Sequence, residues 1–136
     1  MSSNLHVSIT GRLAADPVPR ATTGGKMVTN FTVITNDRRF DRDRNEWVDA
    51  NKTAIRVSCW EDLAETAGNC LFKGDLVTVT GHRLLANPYL DKEGKPNAGL
   101  ELTADTISAE LKGQHVKITR LQRTPASTQN GTEPPF

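Results

Sequence analysis

Arginine and tryptophan lie close together in one alternating run of the 136-residue sequence. Arg56 and Trp60 share one side of this run, and its other side is apolar. Because alternate residues of a strand point to opposite faces, both side chains are expected to project outward. A ring beside a guanidinium group can stack on an unpaired nucleobase while the cation contacts the phosphate. The alternative is structural: Trp60 could pack under a following helix or be buried in a subunit contact.

A charged segment, residues 37–51, is the second place where rings and arginines occur together. The rings are Phe40 and Trp47, and the four arginines around them are Arg38, Arg39, Arg42 and Arg44. Such a combination matches what a base and its phosphate require. Five acidic residues of the same segment stand among the arginines, so the segment could equally be a solvated hairpin that neutralises its own charge.

No residue pattern typical of catalysis or of a metal site is found. Gly24-Gly25-Lys26 lacks the earlier glycine and the following Ser or Thr of a phosphate-binding loop. The acidic residues from position 41 imitate a calcium loop, but Glu46 and Lys52 stand where glycine and glutamate are required. Three separated histidines and two cysteines provide neither a zinc set nor a nucleophile motif. We therefore expect no catalysis, no metal and no cofactor, unless carboxylates converge in space to hold a nuclease metal.

The composition indicates one globular domain rather than a membrane or secreted protein. Charged residues make up 24% of the chain, and no apolar run approaches the roughly 20 residues of a spanning helix. The first residues lack the charged start and apolar stretch of a secretory signal, which predicts a cytoplasmic location. The net charge is only +1, and the positive surplus lies after residue 110. A polyanion would therefore have to bind in a local groove.

Hydrophobic periodicity predicts five strands and one short helix. The strands are expected at residues 5–13, 28–36, 53–60, 76–83 and 100–107. The helix is expected to begin at Glu61, to carry an apolar stripe that includes Cys70, and to end at Lys73 and Gly74. A helix between the third and fourth of five strands matches an all-β, five-stranded Greek-key barrel of the OB type. In that fold Tyr89 would lie in the loop before the fifth strand, on the side that accepts ligands.

Composition divides the chain into segments. Residues 1–111 form the barrel domain, and residues 112–123 are either a basic tether or an extra strand. Residues 124–136 are almost free of aliphatic side chains, so a disordered tail is expected there. Cys59 and Cys70 have the parity of core residues and are expected to be buried. A change of register would instead bring either thiol to a subunit boundary, where a disulfide could form.

A series of short motifs, in shared order and spacing, resembles the bacterial single-stranded DNA-binding proteins. The resemblance runs from about residue 4 to residue 111 and includes Asp16-Pro17, Gly24-Gly25, Asn30-Phe31-Thr32, Lys73-Gly74-Asp75 and Val77-x-Val79-x-Gly81. It implies a homotetramer of OB folds that coats single-stranded DNA without sequence preference. Such a protein acts in replication, recombination and repair and catalyses no reaction. Residues 1–111 would then be the DNA-binding domain.

The resemblance also implies roles for individual residues. Trp60 matches a stacking aromatic of the third strand, Arg56 a nearby basic contact, and Lys73 the basic residue that closes the helix. Phe40 falls at or one place from a stacking position, and Tyr89 falls near another. The complete set of candidate DNA-binding residues is Trp60, Arg56, Phe40, Tyr89, Trp47, Arg39, Arg42, Lys73 and Arg12.

Two features depart from the family pattern. Ala54 stands where many members have another tryptophan on the third strand, and Trp47 could compensate for the lost stacking surface. The chain ends in one acid followed by Pro134, Pro135 and Phe136, instead of in several acids followed by an apolar pair. This tip would bind replication or repair proteins only weakly. The weak tip suggests a specialised paralogue with a shortened, poorly acidic tail.

Two other functions remain open from sequence alone. An OB-fold module that prefers RNA would use the same rings, since stacking does not distinguish the two sugars. A protein–protein scaffold without nucleic-acid binding would leave the arginines of residues 37–51 solvated. The main expectation is a cytoplasmic, nucleoid-associated homo-oligomer that binds single-stranded DNA and has no membrane contact.

Overall fold

The structure is a computed structural model in which residues 4–121 are described. Their elements are β1 Val7–Leu13, β2 Val18–Ala21, β3 Met27–Asp41, β4 Glu46–Trp60, α1 Glu61–Cys70, β5 Leu76–Gly81, β6 Arg83–Leu90, β7 Pro96–Thr103 and β8 Thr106–Ala109. The strands pair in the order β6-β7-β4-β3-β1-β5-β8, and β2 pairs with β3. Only the pair of β4 with β7 is parallel among these described strands. No helix within this part of the chain is long and apolar enough to cross a membrane.

The sheet closes into a barrel where its last strands bend. β5 leads almost directly into β6, and β7 leads into β8 after a break at Ala104 and Asp105. At this break the Ala104 amide donates to the Ser58 carbonyl of β4, and the Asp105 amide donates to the Thr80 carbonyl of β5, both at 2.8 Å. Two successive residues thus bond to strands that are not neighbours in the sheet. This arrangement closes a small Greek-key barrel.

The predicted OB-type barrel is confirmed, although it contains more strands than the five expected. β6 continues the predicted fourth strand beyond a bend at His82, and β7 and β8 divide the fifth strand at Asp105. The helix lies between β4 and β5, as expected. The expected loops at 16–26 and 87–99 contain strand residues, because proline at an edge position does not prevent pairing.

Residues 37–51, which the sequence predicts as an exposed hairpin loop, do form an exposed hairpin, but its strands stay paired farther than expected. β3 and β4 remain paired as far as Asp41 and Glu46. Residues 38–49 therefore form a two-stranded hairpin, which we call the arm. Nearly all side chains of the arm are exposed. It thus lacks the buried apolar face from which a strand is recognised in sequence.

Inward-facing side chains of the strands fill the barrel. On β4 the predicted alternation is confirmed, since Ile55, Val57 and Cys59 are buried and Arg56 is exposed. The core also contains Phe31, Val33, Val77, Val79 and Leu102. Helix α1 packs against this core, and the hydroxyl of a buried threonine of β3, Thr29, donates to a helix carbonyl at 2.7 Å.

The prediction that both cysteines are buried is correct for Cys59 and wrong for Cys70. The buried stripe of the helix and the residue after it consists of Ala64, Ala67 and Leu71. Cys70 follows Ala67 by three residues, as a residue of the stripe would, but it is the last residue of the helix and its side chain is exposed. Burial raises the pKa of the Cys59 thiol to about 11. Cys59 is therefore a core residue, and Cys70 is an exposed thiol.

Residues 112–121 contain no helix or strand, and the side chain of Gln114 joins them to the barrel through hydrogen bonds. Gln114 accepts a hydrogen bond from the Leu76 amide at 3.1 Å and donates one to the Leu76 carbonyl at 2.8 Å. Its side-chain amide thus satisfies both backbone groups of a strand residue. The predicted tail, residues 124–136, lies outside the described residues.

Candidate nucleic-acid interface

The outward-facing residues of β4 form part of a groove of about 720 Å³. Arg56 is placed by register between Thr32 of β3 and Glu101 of β7. Other side chains that line the groove are Lys52, Ala54, Asn87 and Tyr89. The groove therefore collects basic, polar and aromatic groups from four strands, and it includes Ala54 where the resemblance expects a tryptophan.

A second groove of about 310 Å³ continues from the first. Both are lined by Thr32 and Arg56, and the smaller one extends to Asp16 and Arg20. Within residues 4–121, no ion pair engages the exposed Arg56 guanidinium group. A cation at the junction of two grooves is suited to a phosphate of an extended strand.

Tyr89 lies across a glycine in the wall of the larger groove. A Cβ atom at Gly99 would come within 3.4 Å of two carbons of the Tyr89 ring and within 2.7 Å of the Asn87 carbonyl oxygen. Only glycine leaves this space free. Tyr89, expected in a loop, therefore lies on β6, is 53% exposed and lines the groove.

Trp60 ends β4 on the same face as Arg56 and is 42% exposed. It pairs with the buried Val28 of β3, which pairs on its other side with Arg20 of β2. The next residue, Glu61, has φ 58, so the chain turns sharply into α1 directly after the ring. This exposure excludes burial of Trp60 under the helix. By register, Trp60 instead lies in one cross-strand row with the basic residue Arg20.

The two rings of the arm lie against each other. Phe40 and Trp47 form a T-shaped pair with centroids 5.6 Å apart and an interplanar angle of 64°. They are cross-strand partners because Ala50 is an extra residue of β4, where the register shifts. Without this bulge Phe40 would face Val48, and Trp47 would lie on the other face. Since Phe40 has the parity of Thr32, both rings lie on the groove side of the hairpin.

The charges of the arm are partly paired. Its ion pairs are Arg38 with Asp49 at 3.3 Å and Arg44 with Asp41 at 4.0 Å. Among residues 4–121, neither Arg39 nor Arg42 takes part in an ion pair. Arg39 pairs with Val48 and so lies on the face opposite to the rings. Arg42 lies in the turn at the tip of the arm.

The remaining predicted residues, Arg12 and Lys73, meet at the loop after the helix. The Arg12 guanidinium group donates to the Gly74 carbonyl at 2.9 Å. The Lys73 amide donates to the Asp16 carboxylate at 2.8 Å, and Asp16 lines the smaller groove. Lys73 follows the helix rather than closing it, since α1 ends at Cys70. Neither residue lines a groove, and Lys73 is joined to the smaller one only through the bond from its amide to Asp16.

Sequence reasoning missed several residues of the grooves. Arg20 stands in a stretch interpreted as a loop. No sequence pattern therefore indicated that it lies in the same cross-strand row as Trp60. Lys52 has the parity of Arg56, and this alternation could have identified it. Asn87 and Glu101 could not be identified from sequence, because they become neighbours only when β6 pairs with β7.

Cations and one exposed ring, Tyr89, line the outer grooves of this OB-type barrel, and the exposed rings Trp60, Phe40 and Trp47 lie outside them. Such a barrel belongs to a class of folds that bind nucleic acids. The Single-strand binding protein family matches residues 5–110 of this chain. The single-stranded DNA-binding protein of Paenarthrobacter aurescens is 37% identical over 123 residues, which covers 90% of this chain and 71% of that protein. The protein of the same name from Mycolicibacterium smegmatis is 33% identical over 124 residues, which covers 91% and 74%.

The chain therefore belongs to the single-strand binding protein family. A small single-stranded DNA-binding protein from Streptomyces coelicolor has a crystal structure that matches with a TM-score of 0.69 and 24% identity, covering 81% of this chain and 97% of that chain. That match supports the fold. The resemblance expected from sequence is confirmed, and the chain is a non-enzymatic protein that binds single-stranded DNA. Neither the RNA-binding nor the scaffold alternative is favoured by these relatives.

Proposed function

We propose that single-stranded DNA crosses the outer face of the barrel through the two joined grooves, from the arm to Trp60. The observation that carries this path is that Thr32 and Arg56 line both grooves. Tyr89 and the ring pair of the arm supply stacking surfaces at one end, and Trp60 supplies one at the other. Bases stack on these rings while phosphates follow the cations between them, which requires no particular sequence.

Single-tryptophan variants test the two ends of the path separately. The chain has two tryptophans, so Trp47→Phe leaves Trp60 as the only indole and Trp60→Phe leaves Trp47. Titration with oligo-dT is expected to quench the fluorescence of each variant, with tighter binding at low salt than at high salt. An indole that is not quenched by a saturating strand lies off the path.

A charge variant tests the junction of the grooves. Arg56→Gln is expected to weaken oligo-dT binding and to lower the salt-dependence slope by about one, because one phosphate contact is lost. The matched control is Arg120→Gln, which changes an exposed arginine beyond β8. If Arg56→Gln retains the affinity and slope of the control, the proposed path is wrong.

The assembly that acts on DNA is proposed to be a homotetramer, as the family resemblance implies. Several large apolar side chains are exposed on the described surface of one chain, including Leu5, Phe72, Leu90 and Leu111. Exposed apolar groups of this size favour association, and several barrels on one strand multiply the affinity of few rings. Sedimentation equilibrium checks this proposal, and a monomer at micromolar concentration would contradict it.

The C-terminal tip is proposed to recruit replication or repair proteins weakly through Pro134, Pro135 and Phe136. Removal of residues 124–136 is expected to leave oligo-dT affinity unchanged and to abolish this recruitment. A large loss of DNA affinity would show that the tail belongs to the binding site. The proposed location is the cytoplasm, in association with the nucleoid, which a fluorescent fusion would show.

A further inference from the structure

The larger groove contains an acidic side chain that phosphate binding does not use. Glu101 lies beside Arg56 in the parallel register of β4 and β7 and lines the groove. The Asn87 side-chain amide donates to its Oε1 atom at 3.4 Å. Within the described part of the chain, Oε2 accepts no hydrogen bond and no ion pair engages the carboxylate. A carboxylate in this place repels phosphates, so a different part of the nucleotide must face it.

Neighbouring groups determine which part of the nucleotide meets Glu101. Gly99 precedes Glu101 by two residues on the same face of β7, a separation of about 7 Å along the strand. The Tyr89 ring lies over Gly99. A base stacked on Tyr89 would then have Glu101 beside one of its edges, and Arg56 on the neighbouring strand beside its phosphate.

We propose that Glu101, held by Asn87, accepts hydrogen bonds from the edge of the base stacked on Tyr89. It thereby favours bases with an exocyclic amino group over thymine, and guanine above all. This inference rests on the DNA path proposed above. It adds a base preference to a protein that otherwise binds through stacking and charge.

The preference follows from the donors that each base offers. A carboxylate is only an acceptor, and in a single strand the Watson–Crick edge of the base is free. Guanine presents adjacent N1–H and N2–H donors that match the two carboxylate oxygens. Cytosine and adenine each present one amino group. The N3–H donor of thymine lies between two carbonyl oxygens, which the carboxylate repels.

The experiment compares two strands that differ by one kind of amino group. Alternating thymine–guanine and thymine–inosine oligonucleotides have the same backbone, and inosine lacks only the 2-amino group of guanine. The unmodified protein is expected to bind the guanine strand about fivefold to tenfold more tightly. Glu101→Leu removes both acceptors and is expected to make the two affinities equal. Glu101→Gln, which keeps one acceptor, is expected to retain part of the difference.

The matched control is Glu65→Leu, which removes an exposed carboxylate of α1 outside the groove and is expected to keep the full ratio. Equal binding of the two strands by the unmodified protein overturns the inference. So does a Glu101→Leu variant that binds both strands more tightly by the same factor, since Glu101 would then act on phosphates alone. The ratio is measured in proteins that still bind oligo-dT. A wrong DNA path is detected separately, through Arg56→Gln and the quenching of Trp60.

Discussion

Strand β4 passes through two environments, and they position side chains in different ways. Residues 53–60 lie in the barrel wall, where Ile55 and Val57 are buried and the side chains between them must face the groove. Residues 46–49 lie in the arm, where nearly all side chains are exposed. In the wall, packing fixes the register, because a slip by one residue would turn the apolar side chains outward. In the arm, the bulge at Ala50 fixes which residues pair.

The largest expected effect is the difference between wall and arm in how much a substitution lowers the free energy of unfolding. Ile55→Ala removes a buried side chain of β4 and is expected to lower the free energy of unfolding by about 2–5 kcal/mol. Val48→Ala, in the arm on the same strand, is expected to cost less than about 1 kcal/mol. Urea denaturation at one protein concentration measures both values. Equal losses would show that the arm is packed as tightly as the wall.

A smaller effect is expected on DNA binding when a ring of the arm is removed. Trp47 is 60% exposed and pairs with Phe40 on the groove side. Trp47→Ala is expected to weaken oligo-dT binding by about 1–3 kcal/mol, the range of one base–aromatic stack. Its effect on unfolding is expected to stay within about 0.5 kcal/mol, because little surface is buried there. Fluorescence anisotropy of a labelled oligonucleotide measures the affinity.

The control for this variant lies on the opposite face of the arm. Val48→Ala changes the partner of Arg39 and is expected to leave DNA affinity unchanged, because that face is turned away from the rings. Loss of affinity in Val48→Ala but not in Trp47→Ala would show that the strand binds the face of Arg39. Side-chain alternation would then predict the DNA-binding face of the wall but not that of the arm.

Much of the wall could be predicted from sequence because each of its strands buries one face. Alternation placed Arg56 and Trp60 outside and Val57 inside, and the structure agrees. For the arm, sequence predicts an exposed hairpin but not its pairing, since a hairpin without a buried face has no periodicity and one extra residue, Ala50, decides the register. Pairings between distant strands, such as that which places Glu101 beside Arg56, also leave no local pattern.

In the short helix, the buried face could not be predicted from sequence. Its apolar residues are few, so the buried stripe could be drawn through Cys70 or through Ala64 with similar support. Tertiary contacts decide between these choices: the Thr29 hydroxyl bonds to the Ala64 carbonyl, and Gly68 approaches Pro19 of β2. The exposed thiol of Cys70 follows from these contacts and not from the helical period.

The titration of the buried Cys59 thiol distinguishes the packed wall from the exposed surface. Burial raises the pKa of Cys59 from its ordinary value of 9.0 to about 11. The unfolded chain therefore loses this proton at a lower pH than the folded chain. The contribution of the buried thiol to stability is complete below pH 9.0 and is lost as pH rises toward about 11. Unfolding free energies at about pH 8 and about pH 10.5 measure the loss.

The control for this effect is Cys59→Val, which fills similar space without a titrating group. It is expected to remove this part of the pH dependence, whereas Cys70→Val is expected to retain it. A thiol-specific reagent at about pH 8 is expected to react quickly with Cys70 and with Cys59 only after unfolding. Rapid reaction of both thiols would show that the wall opens as readily as the surface.

The smallest effect concerns the turn between β6 and β7, another exposed hairpin end. The Asp91 carboxylate accepts hydrogen bonds from the amides of Lys95 and Glu93 and from the Asn97 side chain, each at 2.9 Å. These bonds lower the pKa of Asp91 below 3.8, and the bond from the Lys95 amide has the largest effect. The turn is therefore fully stabilised above pH 3.8 and loses this contribution as pH falls through the lowered pKa.

Because Asp91 organises a turn and not a buried face, its protonation is expected to act locally. Amide chemical shifts of Glu93 and Lys95 should titrate together below pH 3.8, and Asp91→Asn should abolish this transition. Tyr89 should report the same event, since its partner Asn97 bonds to Asp91. The Val57 amide in the wall should not respond. If Val57 titrates with the same midpoint, the hairpin end and the wall unfold as one unit, and the distinction between packed and merely paired regions fails.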